Sequence, residues 1–389
     1  MRALFAHDHI FYKVGDAYYS NGGLSGEVLS RYTEIFEDLS IVSRQEVVDK
    51  PDNNLSLSSI PNTNFIKVPN FKSVNSIVNY KKAEGIIKQA VLECDCLIAR
   101  LPSSIGAIAV KFAKKYNKSF LIEVVGCAWD ANKNYGSLMG KVVAPFSFFS
   151  NKRLIAKSNY TIYITKEFLQ KRYPSKGLSI VCPNVNITPV SEEVLQMRTA
   201  KIMSQREKIK IGLVGSLNVD YKGHETVIKA INLIKDELPP FKIEFLGKGD
   251  PNRWARLIFD NSLEDCIDFI GTLPSGNKVY NWMDSLDLLL QPSSAEAQGR
   301  SIIEAMSRGC PIIASEVGGI VELLDKDRLI RPGDYKSLAN KILNVISDKE
   351  DMINQAKKNY INSKQYYRSN IDKKRNEFLR NFKNSIGNK

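Results

Sequence analysis

Residues 291–315, QPSSAEAQGRSIIEAMSRGCPIIAS, constrain this chain more than any other stretch. An apolar run just before them, with Leu286, Leu288, Leu289 and Leu290, reads as a buried strand. A loop of small residues follows (Pro292, Ser293, Ser294, Ala295). Then comes a helical pattern carrying Ile302, Ile303 and Met306, which stops at Gly309 ahead of Pro311 and a second strand over 312–314. Strand, loop, helix, turn and strand form the repeating unit of a parallel α/β sheet, whose ligands bind outside the carboxyl ends of the strands. Glu296 falls in the loop and Glu304 in the helix, so both carboxylates can face that edge. The free N–H groups of the first helical turn, from about Gln298 through Gly299 and Arg300 to Ser301, point into the same space and favour a phosphate. One strand end therefore offers a phosphate cradle and two acceptors for polyol hydroxyls. A sugar nucleotide requires both.

The same alternation runs through the chain, and 389 residues suffice for two domains with a core each. In the first half, residues 3–6 read as a strand, followed by a loop that holds Gly22 and Gly23 and opens an amphipathic helix. Strands are expected near 41–42, 96–99, 120–125 and 160–165, with helices over 77–92, 105–116 and 167–173. Residues 49–64, rich in Asn, Ser and Pro, read as an exposed loop. The second half restarts with a strand over 209–214, and from Tyr335 onward the pattern is helical. The expected fold is α/β, with two Rossmann-like domains. Residues 1–186 form the first, 187–208 a linker, 209–362 the second, and 363–389 a terminal helix.

A formal charge of +13 and a pI near 9.2 ask for an anionic partner. No Lys/Arg-rich arm or aromatic RNA-binding signature is present, so nucleic acid ranks last. Basic and aromatic residues gather over 141–157 (KVVAPFSFFSNKRLIAK), a mixture that suits peripheral contact with an anionic leaflet and equally suits a core helix with one wet face. No apolar run is long enough to cross a bilayer, and MRALFAHDH reads as a first strand and not a signal peptide. Six scattered cysteines without metal-ligand spacing read as reduced thiols. The expectation is a cytoplasmic protein, peripheral on the inner face of the cell membrane.

The motif at 291–315, with its QPS, EAM, RG and PIIAS segments in register, resembles the donor-site signature of the family 4 retaining glycosyltransferases of the GT-B fold. The resemblance implies two domains facing across a cleft, the first for the acceptor and the second for the nucleotide-sugar donor, with the terminal helix returning to the first. It implies that Glu296 holds hydroxyls of the transferred sugar and Glu304 those of the ribose. Where that family has Gly, an aromatic and Gly, this chain has Ala297, Gln298 and Gly299, and Arg300 replaces the commoner Leu or Val. Lys222 matches a lysine that clamps the diphosphate; Ser216 stands where its partner arginine is usual, and Arg300 or Lys248 can assist. The loop Gly271-Thr272-Leu273 would meet the base through its backbone.

In the first domain the family's glycine loop implies donor and acceptor contacts for Gly22 and Gly23, although a tight helix entry would use the same pair. The family's histidine position holds Val125 here, which passes the contact with sugar or acceptor to Asp130, Trp129 or the cluster His7-Asp8-His9. Those histidines could also be ordinary loop residues. The resemblance further implies a UDP- or GDP-linked donor, a glycan or lipid-linked glycan acceptor of a surface polysaccharide, retention by front-face attack, and neither cofactor nor metal. Glu296, Lys222 and Asp130 would carry catalysis. Competing readings are a basic non-catalytic binder of nucleic acid or an anionic surface, and a nucleotide-sugar epimerase or phosphorylase on the same double Rossmann fold.

Overall fold

The computed structural model describes residues 1–50, 55–71, 77–133, 138–185, 187–205 and 207–387. It divides into two compact units, Met1–Pro183 with Asp372–Lys389, and Asn184–Ile371.

Among the described residues the first unit carries a nine-stranded sheet. Its strands are β1 (Arg2–Val14), β2 (Ala17–Ser20), β3 (Asp38–Val47), β4 (Ser56–Leu57), β5 (Thr63–Lys67), β6 (Cys96–Leu101), β7 (Ser119–Val124), β8 (Tyr160–Tyr163) and β9 (Leu178–Val181). The first residues of β1 lie between β3 and β6, and the parallel order continues through β7 and β8 to β9. Every residue of β6 is buried, as befits a central parallel strand with both faces covered.

Two expectations fail here for one reason. β1 does not end at Ala6: its pairing with β3 shifts between Ala6 and Ile10 and continues to Lys13, and the strand runs to Val14 and folds back antiparallel into β2. His7, Asp8 and His9 therefore sit at an irregularity inside a strand, and Gly22 and Gly23 follow the second strand instead of the first. The β-prone run Ile10-Phe11-Tyr12 holds the extension, with Phe11 fully buried. The expected loop over 49–64 likewise contains β4 and the start of β5, which pairs in parallel with β3; its residues 51–54 lie outside the described residues.

The second unit's sheet is six parallel strands in the order β12-β11-β10-β13-β14-β15. These are β10 (Ile209–Val214), β11 (Phe241–Leu246), β12 (Ile267–Gly271), β13 (Leu288–Gln291), β14 (Ile312–Ser315) and β15 (Leu329–Ile330). The chain builds outward from β10 through β12, then crosses back to β13 on the other side. The order thus reverses between β10 and β13, and the crevice at such a reversal is where open α/β sheets bind ligands.

The expected linker 187–208 is part of this second unit. Arg198, only 3% exposed on the helix Glu192–Met203, donates to the carbonyls of Met283 (2.8 Å) and Leu286, and Lys201 donates to those of Ser285 (2.5 Å) and Leu286 (2.8 Å). Two cations thus cap the last carbonyls of the helix Asn277–Ser285, which favour positive charge. Residue 186, the expected end of the first domain, lies outside the described residues; the first unit closes at Pro183.

Residue 363 ends the helix Lys349–Ser363 of the second unit, and the terminal helix is Arg368–Gly387. From Asp372 on, that helix packs in the first unit. There the rings of Phe378 and Phe382 lie 5.5 and 5.2 Å from Tyr160, and Lys383 Nζ donates to the Ile35 carbonyl at 2.7 Å. Among the described residues no helix is long and apolar enough to cross a membrane.

Candidate active site

After β10 the chain passes Gly215 and Ser216 and makes a short 3-10 turn, Asp220–Lys222, before the helix His224–Ile234. The stem of Lys222 lies over Gly215, where a Cβ would come within 2.8 Å of it. Gly223 (φ 87°) lets this turn rest on the loop after β13, because a Cβ there would lie 2.4 Å from the Pro292 carbonyl oxygen. Ser294 N–H closes the contact by donating to the Tyr221 carbonyl at 2.8 Å. The result joins two predicted residues directly: Lys222 Nζ is 2.6 Å from Glu296 Oε2, and both side chains are 19% exposed. Gly318 holds the Glu296 backbone from the other side, since a Cβ at 318 would lie 1.5 Å from the Glu296 carbonyl oxygen. Gly319 N–H donates to the neighbouring Ala297 carbonyl at 3.1 Å.

The helix that follows is Arg300–Ser307, capped by Gly299, one to two residues later than the sequence suggests. Its unclaimed first-turn N–H groups are those of Arg300, Ser301 and Ile302. Gln298 therefore precedes the helix; its side chain is 5% exposed, its Oε1 accepts the Asn184 N–H at 3.1 Å, and its Nε2 has no partner among the described residues. The Ser301 hydroxyl turns inward to Gln291 Oε1 (3.0 Å), whose Nε2 donates to Ser293 Oγ (2.9 Å). That chain of small polar groups fixes the loop's shape. Ser216 accepts the Asn218 N–H at 3.4 Å, and nearby Arg253 is held by Asp220 at 2.5 Å. Arg300 is exposed.

Glu304 borders a cavity of about 210 Å³ together with Gly247, Thr272, Leu273, Val279 and Tyr280. Gly271 leads directly into its Thr272 wall, so predicted residues from two loops and one helix meet there. Burial lifts the Glu304 carboxyl above the ordinary carboxylate range, and Arg300 pulls it partly back. Tyr280 escapes the sequence reading because it lies on the helix Asn277–Ser285, outside any motif; its phenol is pushed up by burial and then by Glu304.

A second unforeseen neighbour is His224, fully buried beside Lys222. Its ring stacks on Trp254 (5.2 Å) and meets Phe245 edge-on (5.0 Å), with both nitrogens unpartnered among the described residues. Burial, then Lys222 and Arg253, bring it down to about 4.

The acceptor candidates lie in the first unit. Asp8 accepts the N–H groups of Ser104 and Ile105, each at 2.9 Å, and so anchors the start of the helix Ser104–Lys115. His9 Nε2 lies 2.8 Å from Ser20 Oγ. Burial, followed by Arg100, depresses His7 to about 3 and His9 to about 4, so both rings are neutral near pH 7 and suit hydrogen bonding to hydroxyls. Trp129, 37% exposed, packs edge-on against Phe148 at 6.2 Å. Asp130 is paired with Arg172 at 3.1 Å. Gly22 and Gly23 are exposed with open space where a Cβ would stand.

All three histidines of the chain are thus depressed below their unfolded value of about 6.5. The unfolded chain takes up protons first as pH falls, so their stabilising contribution is complete above about 6.5 and is lost between there and their folded values. Urea unfolding is expected to lose up to about 1.4 kcal/mol per pH unit per ring in that window. His224→Phe should reduce that slope by about one proton; an unchanged slope would contradict the burial.

A family model described as group 1 glycosyl transferases matches residues 208–348. Protein CapJ of Staphylococcus aureus is 32% identical over 387 residues, covering 99% of this chain and 97% of that protein. The chain belongs to the group 1 glycosyltransferases. The amylovoran biosynthesis glycosyltransferase AmsK of Erwinia amylovora is 26% identical over 48% of each chain. Among solved structures, Anabaena HepE in complex with UDP superposes with a TM-score of 0.67 at 17% identity, over 97% of this chain and 99% of its own. The fold is therefore GT-B, with two Rossmann-like parallel-sheet units and a terminal helix, and the protein is an enzyme of glycosyl transfer. Neither a non-catalytic binder nor an epimerase is favoured by these matches.

Proposed function

We propose that this glycosyltransferase moves a sugar, with retention, from a nucleotide-diphosphate sugar to a hydroxyl of a lipid-linked glycan on the way to a surface polysaccharide. The observation that carries the donor half is the Lys222–Glu296 pair at the β10/β13 reversal, beside the cavity that Glu304 borders. Glu304 and Tyr280 suit the ribose and base, and Lys222 with the amides of the Arg300–Ser307 helix suits the diphosphate. Glu296, oriented by its ion pair, suits the sugar hydroxyls. In this reading the acceptor oxygen bonds to the anomeric carbon on the face that the nucleotide leaves. The bond from that carbon to the phosphate oxygen breaks, its electron pair stays on the phosphate, and the acceptor proton passes to that oxygen. Cations and helix amides stabilise the leaving diphosphate, so no divalent metal is required. The UDP bound by HepE, and the amylovoran biosynthesis named for AmsK, support the choice of substrates.

Thermal shift with UDP and GDP, then transfer assays with and without EDTA, test this; no stabilisation by either nucleotide would overturn it. Glu304→Gln gives a sharper version. The raised carboxyl costs the folded state stability once pH exceeds the ordinary carboxylate range, so the variant should melt higher at pH 7.5 than the parent. It should also raise the donor KM about tenfold with little change in kcat. A lower melting temperature with unchanged KM would remove Glu304 from the site.

The membrane half rests on the helix Leu138–Ile155. Val142, Phe146 and Phe149 share one face and are 62%, 74% and 60% exposed; Arg153 continues that face one turn on, and exposed Lys141 and Lys157 lie beside it and just past the helix end. Such a face suits an anionic leaflet, which would present a lipid-linked acceptor near Trp129. Cosedimentation with vesicles rich in anionic lipid should fall about tenfold for Phe146→Glu/Phe149→Glu; equal binding by the variant would argue against this face.

A further inference from the structure

Three arginines gather around one buried carboxylate in the first unit. Arg100 and Glu123, the next-to-last residues of β6 and β7, are both 4% exposed. Arg100 Nε and Nη2 donate to Glu123 Oε2 at 3.0 and 2.9 Å, and the Tyr32 hydroxyl donates to Oε1 at 2.8 Å. That pair satisfies itself. Arg375, 3% exposed on the terminal helix, donates to Asp372 at 2.9 Å and to the Pro183 carbonyl at 3.1 Å. Arg31, on the helix Gly26–Thr33 just before Tyr32, has no such outlet. Its guanidinium makes no hydrogen bond among the described residues; its Nε is shut off from solvent, while the half-buried side chain leaves its terminal nitrogens reachable from outside. The charges that act on it are those of Arg375 and Arg100, of like sign, and of Glu123, already engaged by Arg100.

An arginine keeps its charge in a protein, and here a guanidinium that no protein group engages, held among like charges with its terminal nitrogens open to the outside, is free to take an anion. The cluster lies at the carboxyl edge of the parallel sheet, beside Cys182 and Pro183 just past β9, where sheets of this class take ligands. We propose that Arg31, backed by Arg375 and Arg100, binds an oxyanion carried by the acceptor: the phosphate or pyrophosphate of a lipid-linked glycan, or the carboxylate of an acidic sugar. The planar guanidinium fork suits either. This deepens the reading of the chain as a transferase and rests on it for the word acceptor.

The test uses the full chain saturated with UDP, so that the second unit's phosphate site is filled, and titrates inorganic pyrophosphate and, separately, glucuronate by calorimetry. The parent should bind one of them; pyrophosphate points to the lipid phosphate and glucuronate to the acidic sugar. Arg31→Gln should weaken that anion at least tenfold and Arg31→Lys less, with UDP affinity unchanged in both. Without anion, Arg31→Gln should melt no lower than the parent, because no protein hydrogen bond is lost and the repulsion from Arg375 and Arg100 is relieved. Failure of both anions to bind, an unchanged affinity in Arg31→Gln, or an equal loss of UDP affinity would overturn the proposal. Should UDP itself not bind, the donor reading fails; pyrophosphate titrated into Lys222→Ala without UDP then still decides the role of Arg31.

Discussion

Glu296→Gln is expected to lower kcat about 10²- to 10³-fold with a donor KM within a few-fold of the parent, and Lys222→Met to lower kcat to a similar degree. The two side chains touch at 2.6 Å and share one small, four-fifths-buried space, so each positions the other. A carboxylate already neutralised by an ammonium is a poor nucleophile and a well-oriented hydrogen-bond acceptor, which suits a group that holds the sugar while the diphosphate departs. In the proposed reading Lys222 has a second task, since charge grows on the leaving phosphate and a fixed cation is worth most in a site from which water is excluded. The diagnostic result is the double variant. Residues that act as a unit are strongly non-additive, so Lys222→Met/Glu296→Gln should be no slower than the slower single variant to within about tenfold. Additive losses would mean that the ion pair is a resting contact and that the two residues meet the substrate separately. A drop confined to KM in both singles would remove Glu296 from the chemistry altogether.

The parts of this site legible in the sequence are those in which one short segment carries both the turn and the chemistry. Glu296, the loop after β13 and the helix from Arg300 are contiguous, and Lys222 announces itself by the glycine that follows it. Tyr280 and His224 were not legible as site residues because their neighbours are brought together only by tertiary packing: Tyr280 reaches the Glu304 cavity from another helix, and His224 is caged by Trp254 and Phe245 from separate elements. The same limit hid the role of residues 187–208. Their polarity is that of a linker, yet Arg198 and Lys201 bond to carbonyls more than eighty residues away. In β1 the histidine-rich stretch at 7–9 interrupts the apolar pattern and resembles a strand end, while the pairing resumes at Ile10 beyond the shift. Helix and strand periodicity reports which face is wet. It does not report which distant backbone a buried cation will cap.

Gly318→Ala should be the most damaging small change in the second unit outside the Lys222–Glu296 pair. The backbone at 318 has φ 56°, in the left-handed region that side chains disfavour by about 1 kcal/mol. The added methyl would also lie 1.5 Å from the Glu296 carbonyl oxygen, and that atom is backbone, which cannot rotate away. Either the 3-10 turn Gly318–Glu322 or the Glu296 loop must move by more than an ångström, at an expected total of about 2–4 kcal/mol in urea unfolding. If the loop yields, Glu296 leaves its place against Lys222, and a misplacement of that size is expected to lower kcat about 10²-fold even at temperatures where the variant is folded. Gly333→Ala separates the two causes. Gly333 has φ 78° and open space where a Cβ would stand, so it should cost only the backbone term of about 1 kcal/mol and leave kcat unchanged. Equal stability losses at 318 and 333 would show that the contact with Glu296 is slack. A stability loss at 318 alone with full kcat would show that the turn, and not the Glu296 loop, gives way.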